Sequence, residues 1–185
     1  MTVEEITGKL KSQLKESRFE HSLSVAKTSA ELAQIYGASE KKAYLAGLVH
    51  DCAKCYSDSE LIQKAQNYGI DEDALRFIHI MHSFVGAYEI KNEYGIDDEE
   101  IFDAVYYHTV GKPDMPLITA IVYLADAIEP GRNYPGVDRI RKVAEASLEK
   151  AIYIYTEECI NHVLKKGGQL HPNALEVRDY YRRKI

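Results

Sequence analysis

His50 and Asp51 interrupt a stretch, Ala46-Gly47-Leu48-Val49, whose apolar character marks it as core. Burying an imidazole and a carboxylate there without partners is costly. A metal ion removes that cost, because neutral imidazole and ionised carboxylate are both ligands and the cation balances the carboxylate. Adjacent helical positions diverge by about 100°, so both side chains reach one ion only if it lies between them and other helices complete its ligand set. The rest of the chain must supply those donors.

Four other residues answer that need. His21 falls in the first turn of a helix, His82 at a helix start and His108 at a helix end, while Asp126 sits inside Ile121-Val122-Tyr123-Leu124-Ala125-Asp126-Ala127-Ile128. A carboxylate in so apolar a helix requires a partner. His21, His50, Asp51 and Asp126 make a ligand set for a divalent transition metal, and His82 and His108 can hold a second ion or grip a substrate. Taken singly, each has a structural explanation, and His79, His162 and His171 are read that way. The joint pattern points to a site, since separated segments each set a metal-capable group beside apolar residues.

The elements that position these groups read as helices throughout, with no alternating strand, which predicts an all-α fold. Thr2 with Glu5, Ser17 with Glu20 and Ser57 with Glu60 are candidate capping boxes. They open helices over about 2–14, 17–36 and 57–68. A third helix from Glu40 is expected to carry His50-Asp51 in its last turns, with Lys54 on the same side. Further helices are expected over 72–78, 82–94, 98–108 and 117–128. A long stretch from 137 to 166, broken near Ser147, and a final helix from Pro172 complete the chain. The 185 residues suit a single domain, with a core over roughly 17–130 and C-terminal helices 137–185 packed on it.

Composition narrows the setting. Hydrophobic residues are 45% of the chain and charged residues 28%, ordinary for a globular protein. With 23 basic against 29 acidic side chains the formal charge is −6, which argues against generic nucleic-acid binding and requires any phosphate contact to be local. Met1-Thr2-Val3-Glu4-Glu5 lacks the pattern of a secretory signal, no apolar run suits a bilayer, and three cysteines fit a reducing compartment, so the expectation is cytoplasmic, without a membrane. Cys52 and Cys55 match a C-x-x-C spacing, but no strand precedes them, so redox chemistry is set aside. The acidic runs 71–73 and 97–100 are read as helix starts.

Five ordered segments carry a resemblance: Arg18-Phe19-Glu20-His21-Ser22, Ala46-Gly47-Leu48-Val49-His50-Asp51-Cys52-Ala53-Lys54, His82-Ser83-Phe84-Val85-Gly86-Ala87, Tyr107-His108-Thr109-Val110-Gly111 and Ala125-Asp126-Ala127-Ile128-Glu129-Pro130-Gly131-Arg132. Together they resemble the HD-domain metal-dependent phosphohydrolases, in particular the YqeK-type symmetrical bis(5′-nucleosyl)-tetraphosphatases. The resemblance implies a hydrolase splitting diadenosine tetraphosphate into two ADP with metal-activated water. It makes His21, His50, Asp51 and Asp126 ligands of one or two ions, iron in the family picture. Asp51, Lys54, His82 and His108 become candidate catalytic residues, and Arg18, Lys54, His82, His108 and Arg132 candidate phosphate contacts. A homodimer is suggested by the resemblance and by the fourteen tyrosines. Gly167-Gly168-Gln169-Leu170-His171-Pro172-Asn173 is a candidate lid over a nucleobase. Hydrolysis of mononucleotides or other phosphate esters, and a catalytically silent nucleotide- or metal-binding module, are the alternatives.

Overall fold

The computed structural model describes residues 1–71 and 74–185 in full; the side chains of Glu72 and Asp73, and with them most of the first acidic run, lie outside the described residues. The described chain is helical, without strands. It comprises α1 (Val3–Gln13), α2 (Glu16–Tyr36), α3 (Glu40–Val49), α4 (Asp58–Asn67), α5 (Met81–Tyr94), α6 (Glu99–Tyr107), α7 (Leu117–Ile128), α8 (Val137–Ala144), α9 (Leu148–Lys165) and α10 (Pro172–Arg182). Two 3₁₀ segments, Cys52–Cys55 and Glu72–Ile80, follow α3 and α4.

Thr2 and Ser57 form reciprocal capping boxes with Glu5 and Glu60. Asp98 caps α6 by accepting from the amides of Glu100 and Ile101 at 3.0 and 3.3 Å, so that acidic run is a helix start. The expected break near Ser147 separates α8 from α9, with the serine capping the second.

Three boundaries differ from expectation. The Ser17–Glu20 pair caps nothing: α2 enters at Glu16, straight after an extended Lys15. Helix α3 ends at Val49 and does not carry Asp51, which adopts φ −105°, ψ 18° and leads into the 3₁₀ turn. That sparsely populated region recurs at active sites. The 72–78 segment is 3₁₀ and not α, broken at Phe77 (φ −116°, ψ 55°), whose ring is buried in a secondary core with Leu61, Met81 and Phe84.

The main core runs from Ile6 to Tyr181 and centres on α7, where every residue from Ile118 to Ile128 except Asp126 is buried. Helices α2, α3 and α6 pack around it, α5 closes on α6, and α9 covers the remaining flank, with α8 and α10 against α9. Close approach of α2 to α3 requires Gly47: a Cβ there would sit 2.8 Å from Ser29 Oγ and 2.9 Å from Ala26 Cα. The 3₁₀ turn after Asp51 is anchored from below by Glu89 of α5, a buried carboxylate that accepts from Tyr56 and Tyr68 hydroxyls and from Lys64 Nζ at 2.9 Å.

Two outcomes follow. Gly47→Ala forces α2 and α3 apart and is expected to cost about 1–3 kcal/mol in chemical denaturation. Burial works to raise the Glu89 pKa, but the hydrogen bonds from Tyr56, Tyr68 and Lys64 outweigh it and hold it below the ordinary value of 4.5. Its contribution is therefore present above that pH and fades as the pH falls below it. Glu89→Gln should lower stability at pH 7 and show a smaller deficit at pH 3.5.

Candidate metal centre

The centre forms where α2, α7 and the ends of α3, α5 and α6 meet. His50 is fully buried at the end of α3, and its Nδ1–H donates to Gly47 O at 2.7 Å. That leaves Nε2 facing inward, buried and without a hydrogen-bond partner, and although burial works against a charge there, Asp51 and Asp126 raise the ring's affinity for a cation, proton or metal. His21 is oriented in the same way, with Nδ1–H on Glu129 Oε1 at 3.2 Å and Nε2 3.0 Å from Asp126 Oδ1. Asp51 Oδ2 lies 3.5 Å from His50 Nε2 and 3.9 Å from His21 Nε2. Donor atoms of His21, His50 and Asp126 lie within 4.8 Å of one another, as do those of His50, Asp51 and His108.

These donors fit a divalent metal. An aimed, unpaired imidazole nitrogen deep in a core is costly unless something with a vacant orbital or a proton meets it. Two imidazoles and two carboxylates are the donor chemistry such ions take, with each outer imidazole nitrogen fixed by a carbonyl or carboxylate.

The second oxygen of Asp51 joins a neighbouring pair. Oδ1 is 3.2 Å from His82 Nε2 and 3.6 Å from His108 Nε2, and the two imidazole nitrogens are 3.2 Å apart. His108 Nδ1–H donates to Val105 O at 2.7 Å, so its Nε2 carries a lone pair. Burial pushes the His82 pKa down to about 4, against the pull of Asp51, so its ring is neutral at pH 7 and its Nε2–H serves as donor.

Positive charge comes from the rim. Arg18 donates to Asp51 Oδ2 at 2.8 Å, and Arg132 donates to Asp126 Oδ1 and, through Nε, to Asp126 O at 2.7 Å. Burial opposes ionisation of both carboxylates, but the surrounding His and Arg groups prevail and hold each below the usual range. Lys54 reaches the site by a route different from the expected helix face. In a 3₁₀ turn, residues three apart eclipse, which stacks Lys54 over Asp51. Desolvation lowers its pKa in spite of Asp51.

Arg18, His21, His50, Asp51, Lys54, His82, His108, Asp126 and Arg132 therefore gather at one centre. A cleft of about 770 Å³ opens from it between Arg18, His21, Lys27, Gly131 and Arg132. Elsewhere, Cys52 is buried with its thiol pushed up by burial, consistent with packing and not redox chemistry. His171 caps α10 and packs on Phe77 at 4.9 Å, and Asn173 donates to Gly111 O at 2.8 Å, tying the 167–173 loop to the turn after α6.

Two supporting residues escaped the sequence reading. Glu129 is buried and accepts from Ser24 Oγ at 2.6 Å and Gly131 N at 2.5 Å as well as from His21, so it fixes which His21 nitrogen faces the centre. Arg141 of α8 donates at 2.8 Å to the carbonyls of Ile128, Glu129 and Arg132, clamping the loop that bears both Glu129 and Arg132.

Residues 18–131, which contain all four candidate ligands, match the family described as HD domain. The chain is 38% identical to the symmetrical bis(5′-nucleosyl)-tetraphosphatase of Bacillus subtilis, over 94% of each sequence. It is 36% identical to that of Staphylococcus aureus, over 98% of this chain and 95% of the relative. A crystal structure of an HD superfamily hydrolase from Clostridium acetobutylicum superposes over 100% of this chain and 99% of its own, with TM-score 0.96 and 40% identity. The chain belongs to the HD-domain family of symmetrical bis(5′-nucleosyl)-tetraphosphatases.

If Glu129 orients His21, Glu129→Ala should weaken metal binding about 10- to 100-fold, the scale typical of carboxylates behind ligating histidines. Arg141→Ala, which loosens the loop without touching the centre, should produce a smaller loss in the same direction. Competition titration against a chelator measures both, and unchanged affinity in the Glu129 variant would remove its orienting role.

Proposed function

We propose that this chain is a metal-dependent hydrolase that splits diadenosine tetraphosphate symmetrically into two ADP. The observation that carries the reading is the inward, unpartnered Nε2 of His50 amid His21, Asp51 and Asp126, with three rim cations beside it. The names borne by its relatives in Bacillus and Staphylococcus support the substrate. In this reading His21, His50, Asp51 and Asp126 hold the metal, iron by family resemblance, and His82 with His108 holds a second ion or the reacting phosphate.

A divalent ion in this donor set acidifies water and neutralises phosphate oxygens. The chain supplies the rest. Asp51 Oδ1 accepts a hydrogen bond from the attacking water and aims it at one of the two inner phosphorus atoms. Neutral His82 donates to a phosphoryl oxygen. The bridging P–O bond at the centre of the tetraphosphate breaks, oxygen from water joins one half, and the other half leaves as ADP, giving two ADP from one substrate and one water. Arg18, Lys54 and Arg132 grip the chain of phosphates and offset charge building on the leaving oxygen.

The proposal includes a cytoplasmic setting, supported by three free thiols, Cys52, Cys55 and Cys159. Among the described residues, no helix is long and apolar enough to cross a membrane.

Chromatography of products from metal-loaded protein and diadenosine tetraphosphate tests the reading: ADP should be the only nucleotide formed, and AMP with ATP would overturn symmetrical cleavage. Asp51→Ala should lose both metal and turnover. Lys54→Ala should keep its metal and lose about 10- to 100-fold in kcat/KM, the scale of one charge-assisted hydrogen bond.

A further inference from the structure

A second groove, of about 620 Å³, lies between α9 and the loop after α7, a few residues beyond Arg132 in the chain. Its inner wall is Tyr155, Cys159 and Val163, four residues apart along one face of α9, and its outer wall is Tyr134 and Pro135. The volume falls in the range of small-molecule sites, and the predominance of apolar lining with a few polar atoms is their usual character.

Two observations join this groove to the centre, and a third marks a polar group in it without a partner. Tyr134 follows Arg132 by two residues, and its hydroxyl donates to Ala127 O at 3.0 Å, beside the ligand Asp126. Tyr155 is braced edge-on by Tyr123 at 5.4 Å, and its phenol is pushed up by Cys159, by burial and by Asp126, so Asp126 is within electrostatic reach of it. Glu158, on the groove wall, has a carboxylate oxygen, Oε2, that is buried without a hydrogen-bond partner. A buried unpaired acceptor is expensive to keep.

We propose that the Tyr134–Tyr155 groove binds one nucleoside of the substrate, its base against the tyrosine rings and its amino edge meeting Glu158 after a side-chain turn. The inference deepens the phosphohydrolase reading and rests on it. Phosphates held by Arg18 and Arg132 leave a nucleoside emerging past Arg132, where cationic lining gives way to aromatic lining. Aromatic faces suit a flat base, and the Glu158 carboxylate suits an exocyclic amine, while Lys165 and His162 at the same groove are left to meet the ribose side of the nucleoside. In this role Glu158 is a specificity residue for amino-bearing bases.

Binding can be measured apart from turnover, by equilibrium dialysis of metal-loaded protein with ADP and, separately, with inorganic diphosphate. Tyr155→Ala and the groove-filling Val163→Trp should each weaken ADP binding about tenfold or more and leave diphosphate unchanged. The second variant removes no core contact and stands if the first does not fold. Glu158→Gln should weaken ADP several-fold, but not the purine riboside diphosphate that lacks the amine. ADP binding unchanged in both groove variants, or ADP and diphosphate weakened in step, would overturn the groove assignment. Failure of the wild-type protein to hydrolyse diadenosine tetraphosphate would instead overturn the activity.

Discussion

The constraint on which the structure turns is the inward Nε2 of His50, buried with two carboxylates and no hydrogen bond of its own. Three of the rings at the centre are prevented from turning away. Gly47 O holds His50, Glu129 holds His21 and Val105 O holds His108, all through Nδ1. With every outer nitrogen committed, the Nε2 atoms of three helices converge. Gly47 serves twice, since its missing Cβ lets α2 approach α3 and its carbonyl orients the imidazole that the approach brings near.

The break at Asp51 does equal work. Continuing α3 through Lys54 would have swept Asp51 and Lys54 around the helix by 100° per residue. Leaving the α-helix at Val49 and tightening to three residues per turn stacks lysine over aspartate. The turn is held by Glu89 through Tyr56 and by the Cys52 thiol packed against Gly86. A buried carboxylate more than 30 residues away in sequence thus steadies the segment that carries Lys54 beside the donor set.

What was legible in the sequence, and what was not, divides along physical lines. Asp126 could be read because a carboxylate inside an apolar helix contradicts its surroundings. His50-Asp51 could be read for the same reason. The end of α3 could not, because no Gly or Pro between Val49 and Lys54 marks the change. Glu129 lies past the helix end, before Pro130-Gly131, where an acidic residue looks like any turn residue. Arg141 acts on backbone carbonyls, and such contacts leave no pattern in side-chain types. Phe77 broke an expected helix because burial of its ring outweighed local propensity.

The net charge of −6 is no obstacle to a polyanionic ligand. Exposed charges farther away than about 8–10 Å are largely screened at physiological salt, so most of the surface acids are not felt at the cleft. Near it, Asp51 and Asp126 face imidazoles and guanidiniums, Glu129 accepts from Ser24, His21 and Gly131, and the exposed Glu20 at the cleft is outnumbered by Arg18, Lys27 and Arg132. Arg18 and Arg132 are each more than a third exposed at their side chains, so they can transfer their donors from carboxylate to phosphate once a cation takes over Asp51 and Asp126. Under the proposed function metal and polyphosphate would bind cooperatively, because an ion on the carboxylates would release the guanidiniums for the phosphates.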